Sequence, residues 1–181
     1  SLNTSTILLA IVTTWPADHA HVLGHYDFAN AQDVQQALEV AHDFSIIWKK
    51  TDVFQRANFL DLAANLLQKR QDHFIRLIIL EAGKTWQDGV DEVREAVDFL
   101  RYYAQQARSK LQVQHLVGPT GETNSLHFEG RGVALCISPW NFPLAIFVGQ
   151  ISAALVAGNT VIAKPAGQVV TIASKMVEVF R

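Results

Sequence analysis

Two short loops near the end of this chain hold residues fit for chemistry. Ser138-Pro139-Trp140-Asn141 offers a flat aromatic ring and a neutral carboxamide with two N–H donors, and Lys164-Pro165-Ala166-Gly167 offers a fixed positive charge. An amide donor held in a crevice can stabilise a developing oxyanion. A lysine beside it can hold ribose hydroxyls or a phosphate. Proline in each loop stiffens the backbone that presents these groups. A second reading stays open for Asn141: it could cap the helix that follows, because Phe142-Pro143 comes next and proline favours helix starts. Cys136 lies two residues before the first loop, between Leu135 and Ile137, and reads as a buried structural thiol with nothing nearby to lower its pKa. His19, His21 and His25 could suggest a metal cluster, but no cysteine or carboxylate partner sits at zinc spacing, so they read as polar residues of an edge or loop. A phosphate-cradling G-x-x-x-x-G-K-[ST] is absent. Gly130-x-Gly132 precedes an apolar run instead of following it, which removes the usual dinucleotide fingerprint as well.

The surrounding pattern predicts how the two loops are held. Val133 to Ser138 reads as an apolar strand, Phe142 to Ala157 as an apolar helix, Thr160 to Lys164 as a second strand, and Val169 to Phe180 as a further helix. A helical crossover of this length joins parallel strands, and ligands of parallel sheets sit outside the carboxyl ends of the strands. Both loops then face one crevice. The first half is helical. Asn30 is expected to cap a helix carrying Val34, Ala37, Leu38, Ala41, Phe44 and Trp48, and Thr51 a second one with Val53, Ala57, Leu60, Ala64 and Leu67. After a break near Lys69-Arg70, a third helix with Phe74, Leu77 and Ile78 ends at Gly83, a natural position for a left-handed cap. Thr85-x-x-Asp88 opens a fourth in capping-box form; its acidic first half and basic far end complement the helix dipole. Leu111 to Val117 and Ser125 to Glu129 read as an exposed antiparallel ribbon, whose free edges invite pairing with another subunit.

Composition bounds the remainder. The chain has 181 residues, 49% of them apolar and 18% charged, enough for a sizeable core and too apolar for a disordered tail. A net charge of −2 gives no basic footprint for nucleic acid. One cysteine excludes a disulfide framework and suits a reducing, cytoplasmic setting. Leu144 to Ala163 is long enough to span a bilayer but is broken by Gly158-Asn159, and Ile7 to Val12 lacks the positive flank of a signal peptide, so no transmembrane segment is expected.

Pro139-Trp140-Asn141-Phe142-Pro143-Leu144, then Ala157-Gly158-Asn159-Thr160-Val161 and Lys164-Pro165-Ala166, resemble the aldehyde dehydrogenase superfamily. Glu81-Ala82-Gly83-Lys84-Thr85 and the run from Glu92 to Ala104 narrow the likeness to the Δ1-pyrroline-5-carboxylate (L-glutamate γ-semialdehyde) dehydrogenase module of bifunctional proline-utilisation proteins. The likeness runs over about residues 16 to 178. It implies an α/β chain divided into an irregular or strand segment (1–29), the helical part of an NAD-binding domain (30–110), a ribbon like the family's oligomerisation flap (111–129), and the first β-α-β-α of a Rossmann-like core (130–181).

The same resemblance implies NAD-dependent oxidation of L-glutamate γ-semialdehyde to glutamate. Asn141 would donate its amide to the oxyanion; Ile137, Ser138, Pro139 and Trp140 would line the nicotinamide-ribose side of the cofactor cleft; Lys164 would bond the adenosine ribose; Phe142 would face the aldehyde tunnel. FAD enters only if a proline dehydrogenase domain precedes this segment. Gly167 stands where the family usually has a ribose-binding glutamate. Losing one charged hydrogen bond costs about 1.5–3 kcal/mol, so weak NAD binding is expected. The resemblance also places the nucleophilic cysteine and general-base glutamate beyond Arg181, so the chain is expected to be an amino-terminal portion without turnover, homo-oligomeric through its ribbon and open sheet edge. The alternative is a non-catalytic binding or assembly module built on the same fold.

Overall fold

The computed structural model describes residues 11–181. Expectations for the first ten residues, including most of Ile7 to Val12, lie outside the described residues.

The chain opens with an antiparallel ribbon, β1 (Ile11–Trp15) and β2 (Asp18–Tyr26), where the sequence suggested mostly irregular backbone. Four helices follow: α1 (Ala31–Trp48), α2 (Val53–Lys69), α3 (Gln71–Ala82) and α4 (Trp86–Lys110). A short ribbon of β3 (Gln114–Leu116) and β4 (Asn124–Leu126) leads to β5 (Val133–Ile137), α5 (Ala145–Val156), β6 (Thr160–Lys164), a 3₁₀ turn (Gly167–Val169) and α6 (Val170–Phe180). β5 and β6 pair in parallel, Val133 opposite Thr160 through Ile137 opposite Lys164. This is the α/β architecture the sequence predicted.

Local chemistry explains most boundaries. Asn30 Oδ1 accepts from the Gln32 and Asp33 amides while Asp33 takes the Asn30 amide, a reciprocal cap for α1. Thr85 and Asp88 do the same for α4. Gly83 adopts φ 65°, the left-handed stop for α3. The expected cap at Thr51 is displaced by one residue: Asp52 Oδ1 accepts from Phe54 and Gln55, whereas the Thr51 hydroxyl turns back to donate to the Ile47 carbonyl. The predicted strands of the second ribbon shrink to three residues each, because every residue of β3 is exposed and no buried face extends the pairing.

The core lies where α2, α4 and α5 meet. Ala57, Ala64, Leu67, Leu100 and Ala104 are buried as their helical spacing implied, joined by Phe147 and Val148 from α5. The α1 stripe behaves differently. Val34, Leu38 and Phe44 remain 43–50% exposed, and Phe44 with Ala37, Val40 and Trp48 borders an open apolar groove of about 1080 Å³ between α1, α2 and β6. Helix α1 is held mainly at its far end, where Trp48 Nε1 donates to the Leu155 carbonyl and Ala41 accepts from the Thr160 hydroxyl.

Candidate functional site

The two loops meet as their positions after parallel strands required. The Ser138 amide donates to the Lys164 carbonyl at 3.1 Å, continuing the β5–β6 ladder one residue past Ile137. Ile137, Trp140, Asn141 and Phe142 are exposed around the mouth, Pro139 is half-buried, and Ser138 is buried at the strand end. Lys164 is exposed, with its ammonium reaching only the adjacent Pro165 carbonyl, at 3.3 Å. Gly167 opens the 3₁₀ turn opposite. Cys136 lies inside β5, two residues before this mouth: it is buried, and burial pushes its thiol up from the ordinary value.

Helix α5 starts at Ala145, three residues after the expected Phe142, and Asn141 does not cap it. A carboxylate from a distant helix does. Glu92, 2% exposed on α4, accepts from the Leu144 amide at 2.7 Å and the Ala145 amide at 3.3 Å through Oε1. Its other oxygen binds the Lys84 ammonium at 2.7 Å. That ammonium also sits 4.1 Å above the centre of the Phe142 ring, a cation–π contact. This ion pair therefore fixes the end of the 139–143 loop where it enters α5, from Phe142 to Ala145. The Asn141 carboxamide has no hydrogen-bond partner among the described residues, which leaves both donors free for a bound oxyanion.

The second crossover helix repeats this device. Glu81, at the end of α3, accepts from the Thr171 and Ile172 amides at 2.8 Å each and so occupies the start of α6. Burial pushes this carboxyl up, and its bonds from Thr171 and Ile172 pull it back down. Helix starts after parallel strands are ready anion sites, through their free amides and the helix dipole. Here both are already filled by the protein's own carboxylates. The crevice consequently suits the uncharged nucleoside ends of a dinucleotide better than its pyrophosphate, at least at α5 and α6. Gly167 adds space on the ribose side, where an added Cβ would meet the Tyr26 hydroxyl at 3.1 Å.

The closing end of α5 is equally furnished. Arg56, 6% exposed, donates from Nε to the Val156 carbonyl at 3.0 Å and also to the Thr51 carbonyl. Its burial lowers the guanidinium pKa while Asp52 raises it. Asn159 donates from Nδ2 to the Ala154 carbonyl and accepts the Arg131 and Gly132 amides on Oδ1. Helix α5 contains no charged residue, yet a buried anion sits at its start and a buried cation at its end, as its dipole favours.

His19, His21 and His25 are exposed on β2, with His21 packed edge-on against Trp15, and among the described residues no group of three or more His, Cys, Asp or Glu side chains could hold a metal ion.

A parallel strand pair thus carries at its carboxyl ends an exposed carboxamide and an exposed ammonium. Residues 8–181 match the aldehyde dehydrogenase family, and the chain belongs to that family. It is 44% identical over 160 residues to the bifunctional protein PutA of Escherichia coli, covering 88% of this chain and 11% of that protein. It is 37% identical over 169 residues to the 1-pyrroline-5-carboxylate dehydrogenase of Bacillus subtilis, covering 93% of this chain and 33% of that enzyme. Among solved structures, PutA of Bradyrhizobium japonicum superposes with a TM-score of 0.83 at 48% identity, over 84% of this chain and 16% of that one. A Thermus 1-pyrroline-5-carboxylate dehydrogenase, solved with bound NAD, gives 0.90 at 34% identity over 95% of this chain and 34% of that one. The chain thus spans from about a tenth to a third of the length of these relatives. No helix among the described residues is long and apolar enough to cross a membrane.

Proposed function

We propose that this chain supplies the oxyanion amide and one wall of the NAD crevice of an L-glutamate γ-semialdehyde dehydrogenase. The observation that carries this reading is the Ser138–Lys164 backbone bond, which sets the Asn141 carboxamide and the exposed Lys164 ammonium on adjacent loops. Asn141 donates its amide hydrogens to the oxygen of an aldehyde as it takes up negative charge. Phe142, steadied by Lys84, forms part of the passage to that amide. Ile137, Ser138, Pro139 and Trp140 border the nicotinamide side, and Lys164 donates to the adenosine ribose, with Gly167 forming the floor beside it. When bound, NAD supplies the hydride acceptor of the oxidation. The substrate assignment rests on the names of the relatives above. Residues 111–129 form the surface proposed for self-association, since β3 is exposed throughout.

Thiolate chemistry is not available within this segment. Its one cysteine is buried in a strand with a raised pKa, and its Sγ carries a hydrogen at neutral pH. The purified chain given NAD and L-glutamate γ-semialdehyde is therefore expected to produce NADH only at the rate of a protein-free control. Turnover that exceeds the control and is lost in Asn141→Ala would show that this segment contains its own nucleophile and would contradict the proposed division of labour.

A further inference from the structure

We propose that Tyr26 completes the sugar-binding edge of this crevice, its hydroxyl serving as the acceptor opposite the Lys164 ammonium for a nucleoside cis-diol. The inference rests on the crevice reading above and assigns a residue from a part of the chain that the motifs did not reach. Tyr26 is the last residue of β2, paired with Ile11 of β1. The ribbon is moored against the start of α6. Thr13 and Thr171 hydroxyls lie 3.4 Å apart, and Gly24 packs so closely that an added Cβ would touch both at 3.4 Å. This mooring sits four residues beyond Gly167 and brings the Tyr26 hydroxyl over it.

A Cβ on residue 167 would stand 3.1 Å from that hydroxyl, so a side chain at 167 and the Tyr26 hydroxyl compete for one space. Glycine yields the space to tyrosine. The Tyr26 ring is half-buried and set edge-to-face against Phe28 at 5.6 Å, which orients it. Its hydroxyl has no hydrogen-bond partner among the described residues. The donor inventory then decides what could bind. An ammonium donates and cannot accept, so Lys164 alone satisfies the oxygens of a diol and leaves its hydrogens unmet. A phenol oxygen accepts as well as donates. A lysine at the end of β6 and a tyrosine over the bare glycine three residues further on match the mixed needs of a ribose diol, without the second charge that a carboxylate would bring.

The test compares 5′-AMP with 2′,3′-dideoxy-AMP, titrated by NMR into the whole chain and into its Tyr26→Phe and Lys164→Ala variants. Tyr26→Phe removes only an unpartnered hydroxyl, so the fold survives, and the spectrum verifies it. The wild-type chain is expected to prefer the diol-bearing nucleotide by more than about tenfold, the combined worth of the Lys164 and Tyr26 hydrogen bonds. In Tyr26→Phe that preference falls by about three- to tenfold, to what Lys164 alone sustains, while binding of the dideoxy nucleotide stays unchanged. Unaltered 5′-AMP binding in Tyr26→Phe together with its loss in Lys164→Ala overturns the tyrosine assignment and leaves the crevice standing. An equal loss of both nucleotides in Tyr26→Phe marks a packing role and also overturns it. No saturable binding of either nucleotide by the folded wild-type chain overturns this inference and the crevice reading together.

Discussion

Replacing Glu92 with alanine is expected to lower the unfolding free energy by about 3–5 kcal/mol, the usual cost of breaking a buried ion pair from one side. Three partners are stranded at once. The Lys84 ammonium loses its counter-ion at a position where its side chain is 17% exposed, and the Leu144 and Ala145 amides lose their acceptor in the interior. The start of α5 then has neither a capping side chain nor the anion that its dipole favours. Urea unfolding followed by far-UV circular dichroism measures the loss. Glu92→Gln is expected to fall between the two, because its carbonyl can still accept one amide while its NH₂ group faces Lys84. The effect also reaches the site. With Lys84 released from Glu92, its hold on the Phe142 ring weakens, and amide hydrogen exchange of residues 140–145 is expected to quicken in the folded protein. A loss under about 1 kcal/mol for Glu92→Ala would show that the loop is fixed by something else.

Asn159 carries the second large effect. Its side chain ties together the segments around the crevice: Oδ1 accepts the Arg131 and Gly132 amides that lead into β5, Nδ2 donates to the Ala154 carbonyl at the end of α5, and the next residue begins β6. The neighbouring backbone leaves no slack, since a Cβ on Gly130 would overlap the Gly158 carbonyl, and Gly158 itself sits at φ 91°. Asn159→Ala removes all three side-chain bonds and is expected to cost about 2–4 kcal/mol, on the scale of 1–3 kcal/mol for each unsatisfied buried group, with partial relief by water at the exposed Arg131. Asn159→Asp keeps the acceptor but turns a carboxylate oxygen toward the Ala154 carbonyl at the negative end of α5, so it is expected to be no more stable than the alanine variant. Thermal unfolding of the two variants side by side checks the order. An aspartate variant as stable as the wild type would mean that the Nδ2 bond contributes nothing.

Glu92, together with Glu81, also marks where the sequence stops being legible. The parallel pair, the crossover helix between its strands and the placement of both loops follow from apolar runs and the proline-bearing segments after them, and the α2 stripe predicted the buried Ala57, Leu60, Ala64 and Leu67. Such features repeat locally, so a window of the sequence contains them. Glu92 and Glu81 do not. Each is read along its own helix as an ordinary acidic residue, yet each serves a helix start 52 or 90 residues away. Nothing within α3 or α4 says which helix end will be presented to it. Helix α1 errs in the other direction: its stripe has a sound helical period, but period alone does not say whether anything covers the face, and Phe44 is 50% exposed.

The β1–β2 ribbon was within reach. Alternation of His19 and His21 with Ala20 and Val22 is a strand signal, although the histidines alone read no further than polar residues of an edge or loop. The glycine at 167 was a further hint, because a missing side chain beside a crevice loop asks what fills the space. The answer, a tyrosine from residue 26, needed the fold to bring the two together.

The most direct test of the central claim is to locate NAD on the chain. With backbone amides assigned, NAD titrated to millimolar concentration is expected to shift residues 137–142 and 164–168 in a saturable way, with a weak dissociation constant that rises further in Lys164→Ala. Saturable shifts confined to another surface, such as the apolar groove between α1 and α2, would contradict the claim that the carboxyl ends of β5 and β6 form the cofactor crevice, and so would the absence of any saturable shift.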